Sequence, residues 1–172
     1  MTVRPLAIAY VCVMVVGLAI SGQGHAQPSI GDPITLPDIP LINGKTQTAE
    51  SFQGKAILVH YWATWCPFCL KQNANVQTLY EQSQETDIKI LTVSTDDSAA
   101  EVTSYLEEHD YDFPVAMQSP ELEALFGHPT TVPMLFTITE DGNIAEVIPG
   151  LMAKKDFMKL INLTNKDSQY DE

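Results

Sequence analysis

Cys66 and Cys69 stand two residues apart, with Pro67 and Phe68 between them. An apolar run, 56–62, comes just before, with His60 inside it, and Trp65 directly precedes the first cysteine. Proline is tolerated in the first turn of a helix, so a helix can begin at Pro67. Cys66 then meets the unpaired N–H groups of the helix start, where negative charge is stabilised. Cys69 falls one turn inside and is expected to be the more buried of the two. The thiolate is the reactive form of cysteine, and a helix N-terminus or Cys-x-x-Cys setting lowers a thiol pKa from ~8.5 into the range ~3.5–7.5. Such a pair could carry out thiol–disulfide exchange. Cys66 would attack a partner disulfide, and Cys69 would resolve the mixed disulfide.

The other readings of a close cysteine pair are half a zinc site or a structural disulfide. A four-ligand zinc site needs a second pair or two suitably spaced histidines. The remaining candidates, His60, His109 and His128, are scattered, so no metal site is expected. The third cysteine, Cys12, lies in an apolar leader. Arg4, the apolar run 6–20 and Gly24-His25-Ala26 form the pattern of a secretory signal over 1–26. An uncleaved membrane anchor is the alternative. Either way the domain is exported, and the periplasm is the expected compartment. A net charge of −13 with no basic cluster argues against nucleic acid as a partner.

The elements that must position the pair follow in order. Asn43-Gly44 marks a turn in an N-terminal hairpin. The run 56–62 reads as a strand buried on both faces, and 88–94 as a second. Between them a helix over 67–83 puts Cys69, Val76, Leu79 and Tyr80 on one face, with Gln72 and Asn73 one turn after Cys69. Ser98 and Glu101 make a capping-box pattern for a helix whose inner stripe is Val102, Tyr105, Leu106 and His109. A short strand is expected over 113–116. Ser119-Pro120 opens another short helix, closed by Gly127. A loop with two prolines, 128–133, leads into a hairpin of strands 134–139 and 144–148. Phe157, Leu160, Ile161 and Thr164 mark a last amphipathic helix, and 165–172 is a polar, acidic tail. Strands alternating with helices imply a parallel unit, and the late hairpin adds antiparallel strands. The expected fold class is α/β: a single domain over 27–164 with a central mixed sheet and helices on both faces.

The run WATWCPFC, with Thr131-Val132-Pro133 further on, resembles the thioredoxin superfamily, and within it the exported TlpA/ResA/DsbE-type thiol–disulfide oxidoreductases. The resemblance implies a thioredoxin-like three-layer fold with an N-terminal hairpin extension. It implies a redox-active Cys66–Cys69 disulfide as the working group, with no other cofactor. Pro133 would be a cis proline facing the pair, and Val132 would offer backbone groups to an extended substrate. Trp65, Pro67 and Phe68 would border the docking surface. The implied partners are exported protein thiols and disulfides, with a membrane-embedded thiol reductant as electron donor. The direction implied is reduction of particular partners, of the cytochrome c maturation type, by a chain acting as a monomer.

Two positions depart from the family pattern. Ordinary thioredoxins carry a buried Asp six positions before the first cysteine, and here that residue is His60. The ResA-like branch carries a Glu three positions after the second cysteine, and here it is Gln72. A neutral imidazole can accept a proton near neutral pH. His60 is therefore a candidate acceptor for the Cys69 proton, and a hydrogen-bonded core histidine is the alternative. The rival function is copper handling, since two thiolates with His128 and Met134 would suit Cu(I).

Overall fold

The computed structural model describes residues 26–165. Cys12, nearly all of the leader and 166–172 of the tail lie outside the described residues. A small antiparallel hairpin comes first, β1 (Ile39–Pro40) and β2 (Thr46–Gln47), followed by a short helix α1 (Ala49–Phe52). The central elements are β3 (Ile57–Trp62), α2 (Pro67–Ser83), β4 (Lys89–Ser94), α3 (Ala99–His109), β5 (Val115–Met117), α4 (Pro120–Phe126), β6 (Met134–Ile138) and β7 (Ile144–Pro149). A short helix α5 (Lys154–Phe157) and a 3-10 segment (Met158–Asn165) follow.

The five-stranded sheet has the order β5-β4-β3-β6-β7. β3 pairs in parallel with β4, and β4 with β5, while β3–β6 and β6–β7 are antiparallel. The two parallel crossovers, β3–α2–β4 and β4–α3–β5, put α2 and α3 on one face of the sheet. There Leu58 and Trp62 of β3 pack with Cys69, Val76 and Leu79 of α2, Val102 and Tyr105 of α3, and Phe157 and Leu160 of the C-terminal segment. The alternate residues Ile57, Val59 and Tyr61 face the second core, with Leu36, Ile39, Phe52, Leu122, Phe126 and Phe136. This is the three-layer arrangement expected. Every residue of β3 is buried, because the strand lies in the middle of the sheet and is covered on both sides.

Ser98 and Ser119 cap α3 and α4 by accepting the N–H of Glu101 and of Leu122. Three details differ from expectation. The sequence reading did not foresee α1. The third strand runs Val115–Met117, because Pro114 cannot donate to the ladder and its carbonyl is taken by the Thr92 N–H and hydroxyl. The last amphipathic element is not one helix. It breaks into α5 and a 3-10 segment in which Asn162 departs from helical geometry (φ −95°, ψ 17°).

Gly127 ends α4 with φ 70° and ψ 179°, a combination open to glycine almost alone. A Cβ there would also lie 2.9 Å from the main-chain N of Gln27. The residue thus sets the exit of α4 into the loop that delivers Pro133. Gly127→Ala is expected to cost about 1–3 kcal/mol, read as a lower urea midpoint at unchanged slope. An unshifted midpoint would show that the turn carries no such constraint.

Candidate active site

The central strand β3 delivers the chain to the carboxyl edge of the sheet, and the next four residues are pinned before α2 begins. The Thr95 N–H donates to the Trp62 carbonyl at 2.9 Å. The Asp96 carboxylate accepts the Thr64 N–H at 3.0 Å, the Thr64 hydroxyl at 2.7 Å and the Ser94 hydroxyl at 2.7 Å. Cys66 is the N-cap of α2, with Pro67 in the first turn. Its Sγ accepts the Cys69 N–H at 3.2 Å, the bond a capping oxygen would ordinarily receive.

Cys66 and Cys69 are joined as a disulfide with a Cα–Cα separation of 5.2 Å. Cys69 is 0% exposed and Cys66 is 3% exposed. Across from them the Val132–Pro133 bond is cis, and the Val132 carbonyl oxygen is 3.5 Å from Cys66 Sγ. The Pro133 carbonyl in turn accepts the Gly150 N–H at 2.7 Å, which ties the β7–α5 loop to the same wall. Trp65 is 71% exposed and Phe68 is 55% exposed, so two large apolar side chains flank the nearly buried sulfur in solvent. Leu151, from the tied loop, is exposed as well.

Behind the pair lies a neutral polar layer. His60 is fully buried, and its Nε2 is 2.9 Å from Asn73 Oδ1. Asn73 Nδ2 donates to Tyr105 Oη at 3.2 Å. With Oδ1 as the acceptor, Nε2 carries the proton, so the one bond fixes the tautomer. Burial pushes the His60 pKa down to about 4, with the Asn73 bond and the Met134 main chain acting in the opposite sense. The imidazole is therefore neutral near pH 7 and a weak base, which supports the reading as a hydrogen-bonded core histidine. Gln72 is also fully buried, and its Oε1 accepts the Met152 N–H at 3.2 Å.

The structure thus brings Cys66, Cys69, Val132 and Pro133 together and leaves Trp65 and Phe68 exposed beside them. It does not assemble the copper set. His128 is exposed, and Met134 packs with Tyr61 and Phe136 on the sheet face opposite the cysteines. Sequence reasoning missed Asp96 and the 150–152 loop. Asp96 follows β4 at the carboxyl edge beside β3, and the adjacent pair Asp96-Asp97 was the signal that could have pointed to a loop clamp, although the sequence does not say which of the two turns inward. Nothing in the sequence marks the 150–152 loop, whose role comes from distant backbone bonds.

A family model described as Redoxin matches residues 28–161. The chain belongs to the Redoxin family. Relatives of this Redoxin-family chain include the thiol-disulfide oxidoreductase ResA of Bacillus thuringiensis subsp. konkukian, 28% identical over 115 residues and 66% of each chain. The chain therefore spans just under two thirds of that relative's length. The protein of the same name from Bacillus subtilis is 26% identical over 140 residues, 77% of each chain. Among solved structures, a thiol:disulfide interchange protein of the thioredoxin family from Chlorobium tepidum is similar with a TM-score of 0.68 and 25% identity, covering 78% of this chain and 98% of that one. StoA from Bacillus subtilis superposes with a TM-score of 0.63 at 23% identity, over 74% of this chain and 98% of its own, a likeness of fold. The fold is thioredoxin-like.

The His60 environment sets a pH dependence. The folded pKa of about 4 lies below the ordinary 6.5, so between these values the unfolded chain holds the extra proton. Stability is full above pH ~6.5 and is lost as pH falls toward ~4, by about 3 kcal/mol from this group. Urea unfolding of the wild type and of His60→Gln across that window should show a shallower loss in the variant. Parallel curves would remove His60 as the cause.

Proposed function

We propose that the protein is an exported thiol–disulfide oxidoreductase, working in the periplasm, that reduces disulfides of particular partner proteins. The observation that carries this is the Cys66–Cys69 disulfide at the start of α2, facing the cis Val132–Pro133 bond. Its resemblance to exported reductases and the oxidoreductase names of its relatives support the same reading.

In the reduced protein Cys66 is the thiolate, held by the Cys69 N–H and the helix N-terminus. An extended partner segment lies along Val132, with Trp65 and Phe68 covering its apolar side chains. Cys66 Sγ attacks one partner sulfur, the partner disulfide breaks, and the other partner sulfur leaves as a thiolate. Cys69 then loses its proton and attacks Cys66 Sγ. The bond from Cys66 to the partner breaks, the Cys66–Cys69 disulfide forms, and the released partner thiolate takes up a proton. Two electrons pass to the partner, and a membrane-embedded thiol reductant restores the dithiol. Disulfide-bearing exported proteins of the cytochrome c maturation type are the proposed substrates. The exported location follows from the leader pattern over 1–26. Among the described residues no helix is long and apolar enough to cross a membrane.

Acid-quenched alkylation in cells tests both activity and direction. Cys69→Ala should accumulate mixed disulfides through Cys66 with a small set of exported proteins, and the wild-type pair should be mostly reduced at steady state. A pair held oxidised would contradict the reductase direction. An absence of mixed disulfides would contradict the exchange chemistry.

A further inference from the structure

Gln72 is fully buried on α2, and only one end of its amide is satisfied. Its Oε1 accepts the Met152 N–H. A backbone N–H can only donate, so the other end of the amide is the NH2 group, and Nε2 is buried with no hydrogen-bond partner among the described residues. Buried donors are nearly always satisfied, and one that is not calls for a missing acceptor.

The position of Gln72 on the helix points to one acceptor. Gln72 lies three residues after Cys69 on the same helix, and helical side chains lean back toward the N-terminus. Its amide therefore covers the turn that carries Cys69, which is itself fully buried. Once the disulfide opens, the Cys69 sulfur is free to turn toward the amide, as a weak acceptor while it is a thiol and as a strong, charge-assisted one when it becomes the thiolate that attacks Cys66.

We propose that Gln72 Nε2 donates a hydrogen bond to Cys69 Sγ in the reduced protein, and that this bond exists only in that redox state. The proposal rests on the exchange reaction above. A bond present only after the Cys66–Cys69 disulfide opens stabilises the reduced form and raises the reduction potential. It also stabilises the Cys69 thiolate that must attack Cys66 in the mixed disulfide. Gln72 thus supplies a fixed neutral donor beside the resolving sulfur. Through Met152 it links that sulfur to the loop tied to Pro133.

The test is equilibration of the exported domain with glutathione redox buffers. Two variants are used. Gln72→Glu keeps an acceptor for the Met152 N–H but has no donor once ionised. Gln72→Met removes both ends. At pH 8 each should shift the equilibrium about tenfold toward the disulfide, the size of one hydrogen bond. For a two-electron couple tenfold corresponds to ~30 mV. In Gln72→Glu the shift should shrink as the pH is lowered and the carboxyl regains a proton to donate. A purely structural Gln72 would weaken both redox forms alike and leave the potential unmoved. Potentials in both variants within twofold of the wild-type constant would overturn the proposal, as would a Gln72→Glu shift that ignores pH. A wild-type protein that does not equilibrate with glutathione would instead overturn the exchange reading on which it rests.

Discussion

The first N–H groups of an α-helix have no partner within the helix. In this protein one of the N–H groups at that end, from Cys69, is shared between the carbonyl oxygen of Cys66 at 3.0 Å and its sulfur at 3.2 Å. The rest of the structure can be understood as what is needed to hold a sulfur atom at that point. A strand buried on both faces ends just before it, so the approach of the chain is rigid. The Asp96 clamp holds the intervening loop through Thr64. Pro67 starts the helix without wasting a donor. The cis Val132–Pro133 bond closes the opposite side and brings a carbonyl close to the same sulfur.

The layer beneath the pair is polar but uncharged. His60, Asn73 and Gln72 are all fully buried, and none is a carboxylate. A buried charge would pay a large desolvation cost, whereas a neutral group pays only for the hydrogen bonds it fails to make. The layer beneath the sulfurs therefore makes polar contacts without a carboxylate of its own, and the buried carboxylate of the site, Asp96, is held in the loop clamp instead. The partner-facing side is built differently, from Trp65, Phe68 and Leu151, which expose apolar surface around an almost buried reactive atom. A polypeptide that reaches the sulfur can also cover that surface, which fits a protein substrate.

Much of this was legible in the residues, for physical reasons. The continuous apolar run leading into WATWCPFC read as a central strand and Pro67 as a helix start, so β3, the N-cap position of Cys66 and the burial of Cys69 followed. The Ser caps of α3 and α4 and the late hairpin were equally local. What was not legible depended on long-range contacts. The Asp96 clamp spans loops that are distant in sequence, and the Met152 bond to Gln72 spans 80 residues. The role of His60 could not be chosen from its type, because its low basicity comes from complete burial and its tautomer from Asn73. The C-terminal segment shows the limit of periodicity: its apolar spacing serves a 3-10 turn as well as an α-helix, and the break at Asn162 carries no mark in the sequence.

The central claim is that the start of α2 makes Cys66 the nucleophile. Thiolate absorbance of the reduced domain against pH, with Cys69→Ala to isolate the first cysteine, measures it directly. The account predicts that Cys66 ionises within the ~3.5–7.5 range of helix-start thiols. A Cys66 pKa at or above the ordinary ~8.5 would contradict it.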